Sequence, residues 1–380
     1  MKSEHDEIKM WTPATALMVL IMLAGGVILL VRLFKGLGAV TNLNDRFPWG
    51  LWIGIDVLGG VAMAAGGFLI AGAVYILNMK KYRPIVRAAI LNAFFGYLLA
   101  ATAITMDIGL PWNIWHPIVM WQIHSVMWVV AIHVVLYTST LATESSPMFF
   151  EKFGMDKAAG FIHKIIVPVV LFGVLLSTLH QSSLGAVYLI AAKKLSPFWY
   201  NSQVPTLFLI SAVMMGLSMV SFETILTDKY LGHKADMSIL SGLARGTLIT
   251  AVILFIAKIW FLFRGPGIAA AFNGTMEANM YLLEMIVAIV LPIILLSMKN
   301  VRENIKSIFF VDILVISGVL LNRMNVSIFG VYRDQAATGF SYFPTWMEFV
   351  VTFAFISFAI VGFKVSVKYL RVFPKTEAQH

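Results

Sequence analysis

Ten long apolar segments are the feature that most restricts how this chain of 380 residues can fold. A transmembrane helix needs about 20 consecutive apolar residues, and hydrophobic residues make up 59% of the chain against only 12% charged residues, more than a soluble domain can bury. We therefore predict an all-α integral membrane protein with about ten transmembrane helices. Their predicted bounds are residues 11–34, 50–77, 84–106, 117–141, 161–180, 204–226, 240–263, 279–298, 307–322 and 345–367.

The polar links between these segments are too short to contain a separate soluble domain. We predict a single membrane domain over residues 1–380, with short ends at 1–10 and 368–380. Lys2, Glu4 and Asp6 precede the first segment without a small-residue cleavage site, so this segment is predicted to remain as an anchor.

The distribution of Lys and Arg predicts the orientation, because these residues are retained on the cytoplasmic side of membrane proteins. With ten spans, both termini and the links after spans 2, 4, 6 and 8 share one face, which carries 19 of the 28 Lys and Arg residues against 9 on the other. Both termini are therefore predicted to be cytoplasmic. The net charge of +9 follows from this asymmetry and from anionic lipid head groups, so it predicts no nucleic-acid partner.

Cysteine is absent from the chain. Iron–sulfur clusters are held mainly by Cys thiolates, so this chain is predicted to hold no ordinary cluster. Any such cluster must belong to a partner. We also predict no metal site.

Polar and aromatic residues gather at the face away from the termini, and an ionisable group within a span is by default a functional hypothesis. An apolar pocket with aromatic rings and a few proton-exchanging groups suits a quinone, whose reduction needs two protons. His124, for example, is predicted to lie about 10 Å deep in span 4 at helical rise. The predicted catalytic residues are Asp56, Asp107, His124 and His180, and the predicted quinone contacts are Trp49, Asp56, Trp112, His180, Gln181, Ser182 and Tyr342.

Other features of these spans have simpler explanations. Each Trp taken alone is typical of an interfacial belt, and Lys258 and Arg323, near span ends, are expected to extend to the head groups. Gly60, Ala64, Gly67 and Ala71 form a stripe of small residues, which predicts a central span 2 in close contact with a neighbour.

A second group of ionisable residues predicts a route for protons from the cytoplasm. Chains of carboxylates and histidines with internal water carry protons to buried sites. The predicted path consists of His133, Glu223, Glu284 and Asp312. Solvation at a helix end explains Glu223 and Asp312 equally well.

Several motifs resemble one known family: Arg32 with Gly36-Leu-Gly38, FPWGLWIGIDVLGG at 47–60, Asp107, HQSSLG at 180–185 and YFPTW at 342–346. They are similar to the ten-span, HybB/DsrP/HmcC-like branch of the polysulfide-reductase NrfD family over roughly residues 30–370. The resemblance implies a menaquinone-reactive subunit of a respiratory complex in a prokaryotic cytoplasmic membrane. The partners that it implies are a periplasmic ferredoxin-like iron–sulfur subunit and, through it, a hydrogenase or a multihaem cytochrome.

Two other classes of protein remain as alternatives. A b-type cytochrome needs facing His pairs, for which His124 with His180 and, less well, His133 with His163 are candidates. A secondary transporter would have its site near the midplane on broken helices, whereas the polar residues here favour one face. We therefore expect quinone chemistry, with haem binding and transport as the weaker alternatives.

Overall fold

The computed structural model describes residues 8–191, 194–336 and 338–373. Ten helices in these ranges are long and apolar enough to cross a membrane, which confirms the predicted fold class. They are α1 Pro13–Lys35, α2 Trp52–Ile76, α3 Lys80–Asp107, α4 Val126–Lys152, α5 Asp156–Ala191, α6 Val204–Leu231, α7 Met237–Arg264, α8 Met276–Ser297, α9 Ile305–Tyr332 and α10 Trp346–Tyr369. Most of the predicted ends at 1–10 and 368–380 lies outside the described residues.

Both ends of the described chain lie at the same face of the helix array. Lys364 Nζ donates to the backbone oxygen of Met10 at 3.2 Å, and Lys368 Nζ donates to that of Ile8 at 3.2 Å. We call this the terminal face, and the other the opposite face. That the terminal face is cytoplasmic stays a prediction.

The helices form two four-helix bundles and a separate pair. Helices α2 to α5 pack around one interior and α6 to α9 around another, and the two bundles meet along α2, α5, α6 and α9. The first helix of each bundle, α2 or α6, begins at the opposite face. Helices α1 and α10 pack against each other and contact α3 and the first turns of α2.

Helix α2 is the most buried of the ten, since 72% of its apolar window is buried. A Cβ added to Gly67 would lie 2.4 Å from Ala93 Cβ on α3, and one added to Gly96 would lie 3.0 Å from Ala64 Cβ. The predicted stripe of small residues therefore lets α2 and α3 approach closely. Gly66 plays the same role towards α6, because its Cβ would lie 2.8 Å from the oxygen of Gly216.

Four predicted spans, those of α4, α5, α6 and α9, have bounds that are wrong by five residues or more. Helix α4 continues past the predicted end at 141 to Lys152, and α6 continues past 226 to Leu231. Helix α4 begins at Val126, where the side chain of Ser125 accepts a hydrogen bond from the backbone of Trp128, and not at residue 117. Helices α5 and α9 continue past the predicted ends at 180 and 322 to Ala191 and Tyr332. Polar residues suggested these ends, but in the structure they face other helices and remain inside the bundles.

Helix α2 opens with a π-helical stretch, Trp52–Gly59, and α9 contains another, Asn325–Phe329. Such wide turns are rare in proteins as a whole, but those that occur are often part of functional sites. Asp56 lies in the first of them and Asn325 in the second.

Candidate functional site

A cleft of about 1310 Å³ runs between the α1/α10 pair and the two bundles. Its volume exceeds the roughly 300–1,000 Å³ of typical small-molecule pockets. The floor is built from small residues on α2 and α3, including Gly60, Ala64, Gly67, Ala93 and Gly96. The same residues that let α2 and α3 approach thus leave room above them for a long amphipathic molecule.

Asp56 lines the cleft at the end nearer the opposite face. The Thr352 hydroxyl on α10 donates to Asp56 Oδ2 at 2.7 Å, and the Asp56 side chain is buried. No described Lys or Arg forms an ion pair with it. A carboxyl group held in this way, next to an apolar cavity and without a cation, suits proton exchange with a bound ligand.

Glu223 on α6 lines the same cleft closer to the terminal face. The amide of Asn92 on α3 donates to Glu223 Oε2 at 2.5 Å. Asp56 lies four residues from one end of α2 and Glu223 eight residues from the far end of α6, which separates the two carboxyls by about 20 Å at helical rise. The cleft therefore has one carboxyl group towards each membrane face.

A second cluster lies at the opposite face around Asp107, the last residue of α3. Arg32 of α1 donates from Nε to the oxygen of Met106 at 2.5 Å and from Nη2 to that of Ile108, and so fixes the end of α3. The Asp107 carboxylate is attracted by the Arg32 guanidinium and repelled by the carboxylate of Glu348 on α10. Its Oδ1 is buried without a hydrogen-bond partner. This orphaned acceptor can take a proton or a hydrogen bond from a ligand.

Tyr342 completes this cluster. Its hydroxyl donates to Glu348 Oε1 at 2.5 Å and accepts from the backbone N–H of Leu51 at 2.9 Å. Burial, and next the hydrogen bond to Glu348, raises the pKa of Tyr342 well above the ordinary tyrosine value. Tyr342 therefore stays protonated. Its hydrogen bonds connect the segment before α10 to the start of α2. Trp49 packs nearby against Tyr188, with ring centroids 5.0 Å apart.

The interior of the first bundle contains buried polar groups without partners. His180 of α5 is fully buried, and neither of its ring nitrogens has a hydrogen-bond partner. Its ring centroid lies 5.5 Å from that of Tyr97 and 6.1 Å from that of His133. The hydroxyls of Tyr97 and Tyr137 lie near that of Ser177, and all three are buried without a well-aligned hydrogen bond. Buried polar groups normally find partners, so this interior suits bound water.

The interior of the second bundle is centred on a hydrogen-bonded carboxyl group. Glu284 of α8 accepts hydrogen bonds from Lys258 Nζ, from Asn322 at 2.9 Å, from Asn325 at 2.8 Å and from Trp199 Nε1 at 3.0 Å. The expectation that Lys258 and Arg323 reach the head groups is wrong. Both are buried, and Arg323 donates to Ser211 Oγ at 2.9 Å. A void of about 20 Å³ beside Lys258 has room for one water molecule.

The structure divides the predicted catalytic and quinone-contacting residues among several places. Asp56 lies in the cleft, His180 lies inside the first bundle, and Gln181 donates to the oxygen of Val61 at 2.8 Å. Asp107, Trp49 and Tyr342 belong to the opposite-face cluster, and Ser182 is half-buried on α5. Trp112 and His124 are exposed in the link before α4, so the predicted depth of His124 is wrong.

The predicted proton-path residues also lie apart. His133 belongs to the interior of the first bundle and Glu284 to that of the second. Asp312 lies near Ser218 and Ser221 on the α6 side of the second bundle, and Glu223 lies in the cleft. Neither His pair considered for haem forms, because His124 is exposed and His163 lies 3.8 Å from Glu151. His133 faces His180 instead.

Several residues of these clusters were not assigned a role from the sequence. They are Arg32, Asn92, Tyr97, Tyr137, Ser177, Glu348 and Thr352. The position of Glu348 could have been recognised in the sequence, since Thr345 and Glu348 form the capping box that begins α10. For the others, a polar side chain in an apolar span was the only signal, and it does not indicate a partner.

Comparisons with known proteins agree with this architecture. The model of the family described as polysulphide reductase, NrfD matches residues 39–333. A protein of Nitratidesulfovibrio vulgaris is 35% identical, covering 97% of this chain and 98% of its own. The probable Ni/Fe-hydrogenase 2 b-type cytochrome subunit of Escherichia coli is 31% identical, covering 90% of this chain and 88% of its own. The menaquinone reductase integral membrane subunit of N. vulgaris is 27% identical, covering 90% and 87%.

Proposed function

We propose that this chain, which belongs to the polysulphide reductase NrfD family, is the quinone-reactive membrane subunit of a respiratory redox complex. The observation that carries the proposal is the long apolar cleft that ends at the buried carboxyl group of Asp56 on a π-helical turn. Apolar pockets with a few convergent polar groups are the usual form of a ligand site. A relative named for menaquinone reduction makes menaquinone the substrate that we favour.

The residues of the cleft fit a quinone. When bound, a quinone exchanges two electrons together with two protons. Thr352 holds one oxygen of Asp56, which orients the carboxyl group and leaves its other oxygen for a ligand. The apolar walls exclude water from this end, so a proton leaves or reaches the site through side chains. Asp107, with an oxygen that has no partner, is a second proton-exchanging group towards the opposite face.

Electrons in this proposal are exchanged at the opposite face with an iron–sulfur partner, because the chain has no Cys of its own. A periplasmic ferredoxin-like subunit, joined to a hydrogenase or a multihaem cytochrome, is the partner that we favour. The asymmetry of Lys and Arg supports an opposite face that is periplasmic and termini that are cytoplasmic.

Protons in this proposal come from the terminal face. Glu223 supports a route along the cleft, since it shares the cleft with Asp56. His133 supports a second route along one side of α4. Tyr137 follows His133 by four residues, and Glu144 follows Tyr137 by seven. Glu284 and Asp312 of the second bundle are proposed as further proton-exchanging groups on the basis of their burial.

The test compares Asp56→Asn with Asp45→Asn, an exposed Asp in the link before α2. In the assembled complex, we expect Asp56→Asn to lower turnover of a menaquinone analogue by roughly 100-fold, a typical share for a positioned acid–base group. Asp45→Asn should leave turnover unchanged. Equal turnover in the two variants would remove Asp56 from the site.

A b-type cytochrome is the second candidate, because a relative carries that name and His133 faces His180. The surroundings do not fit a haem. The ring of Tyr97 packs against both His180 and Tyr137, with centroids 5.5 and 4.5 Å apart, where a macrocycle would need space. An absorption spectrum of the purified chain separates the two functions, since only haem adds a Soret band.

A further inference from the structure

The end of the cleft at the terminal face is lined by three cations, Lys9, Lys229 and Lys364. Lys9 and Lys229 are exposed. No described carboxylate forms an ion pair with any of the three. Lys364 Nζ donates to the oxygen of Met10 and, at 2.9 Å, to Thr15 Oγ1, which leaves one of its three N–H donors free for another acceptor.

The walls of the cleft next to these lysines are largely apolar, and their length along α6 matches one membrane leaflet. On α6 the lining residues run from Met219 to Lys229, about 15 Å at helical rise. This is half of the roughly 30 Å hydrocarbon thickness of a bilayer. A chain that begins at the lysines therefore reaches the bilayer midplane within the cleft.

The rim of the cleft is open to the surrounding membrane. Ile313 on α9 and Ile356 and Ile360 on α10 line it with 41%, 43% and 47% of their surface exposed. Apolar chains from the bilayer can lie against these residues and extend into the cleft.

A quinone accounts for one end of this cleft only. Its ring is uncharged and is proposed to bind at the carboxyl group of Asp56, whereas nothing in it complements the three cations at the far end of the cleft. An anion at the lysines and apolar chains along the walls are both present in an anionic lipid. Polybasic sites at the cytoplasmic side of membrane helices bind such head groups.

We propose that the terminal-face end of the cleft is a binding site for an anionic two-chain glycerophospholipid. Its phosphate contacts Lys9, Lys229 and Lys364, and its acyl chains lie along the apolar walls. The lipid thus separates the α1/α10 pair from α6 and α9 and leaves the end at Asp56 to the quinone.

The test uses the purified complex, delipidated in detergent and titrated with dioleoyl-phosphatidylglycerol or dioleoyl-phosphatidylcholine, with bound lipid counted by native mass spectrometry. We expect the anionic lipid to bind at least about 10-fold more tightly, since its head group is the only difference. Lys9→Gln combined with Lys229→Gln should weaken its binding roughly 30-fold, at about fivefold for each lysine. Lys9→Arg combined with Lys229→Arg should keep the affinity for the anionic lipid, because both positive charges remain.

The matched control is Lys152→Gln combined with Lys157→Gln, two exposed lysines that flank the link between α4 and α5 at the same face, outside the cleft. This control should bind the anionic lipid as the native complex does. Equal affinity for the two lipids, or an unchanged affinity in the Lys9/Lys229 variant, would overturn the proposal. Recovery of quinone in place of phospholipid from the native complex would assign the whole cleft to quinone and overturn it as well.

The two proposals for the cleft fail separately. Asp56→Asn is expected to lose quinone turnover and keep phosphatidylglycerol. If Asp56→Asn keeps full turnover, the quinone site is wrong while the lipid site still stands on its own titration.

Discussion

The buried pair of Lys258 and Glu284 allows a quantitative prediction. Only 7% of the Lys258 side chain and 1% of the Glu284 side chain are exposed, so both charges are removed from water and from the head groups. Lys258→Met keeps much of the side-chain volume and removes the charge. Breaking a buried pair by removing one partner costs about 3–5 kcal/mol, because it leaves an uncompensated buried charge.

We expect each single variant, Lys258→Met and Glu284→Gln, to destabilise the protein by that amount. The variant with both changes should lose only about 1–3 kcal/mol, since one of the amides of Asn322 and Asn325 loses its acceptor but neither member of the pair is left charged. The two changes should therefore be coupled by at least about 3 kcal/mol.

The assay is denaturant-induced unfolding of the purified chain in detergent micelles, followed by tryptophan fluorescence in all four combinations. Lys299 and Glu303 provide the matched control, an i,i+4 pair on the surface with 79% and 52% of the side chains exposed. The same cycle there should show no measurable coupling. If the buried cycle is also uncoupled, Glu284 is not held as an ion and the reasoning fails. If Glu284 also carries protons, the doubly changed variant should recover stability while quinone turnover stays slow.

Four further predictions concern the proposed function and the topology. Glu223→Gln should slow quinone turnover with quinone affinity unchanged, because Glu223 lies about 20 Å from Asp56; a parallel loss of affinity, measured by quinone-site occupancy, would contradict a role in proton supply. His180→Leu should abolish turnover while the complex still assembles, as judged by co-purification; normal turnover would limit His180 to packing. Burial raises the pKa of Tyr342, so the folded chain holds that proton more tightly and loses stability as the pH rises above about 10, the unfolded value. In Tyr342→Phe, the free energy of unfolding, measured at several alkaline pH values, should fall less steeply with pH. An unchanged dependence on pH would mean that other groups cause the loss of stability. Reporter fusions after Asn113 should score as periplasmic and fusions at the C-terminal end as cytoplasmic, and the same side for both would overturn the proposed topology.

Much of the architecture could be predicted from the sequence, but the candidate site could be predicted only in part. Asp56 was found because a carboxyl group in an apolar span is unusual. Its partner Thr352 lies 296 residues away, and no local pattern connects the two. His124 shows the opposite error, since apolar residues 118–121 extended the predicted span beyond the Ser125 cap that begins α4.

Lys258 and Arg323 show why position along a span was not enough. Their nearness to span ends favoured contact with head groups, a preference that holds for lipid-facing side chains. The structure turns both inward, where Glu284 and Ser211 bind them.

The sequence by itself determined that this protein is a ten-span membrane protein and that it has no Cys. These are local properties: segment length and hydropathy must match the bilayer, every backbone polar group in a span must be satisfied within its helix, and a missing Cys needs no neighbour to be recognised. Only the tertiary structure decided which polar residues meet. Lipid-facing and protein-facing surfaces are both apolar in a membrane, so hydrophobic periodicity does not mark the buried side of a helix. The cleft, the pairing of Asp56 with Thr352 and the contact of His133 with His180 follow from how ten helices pack.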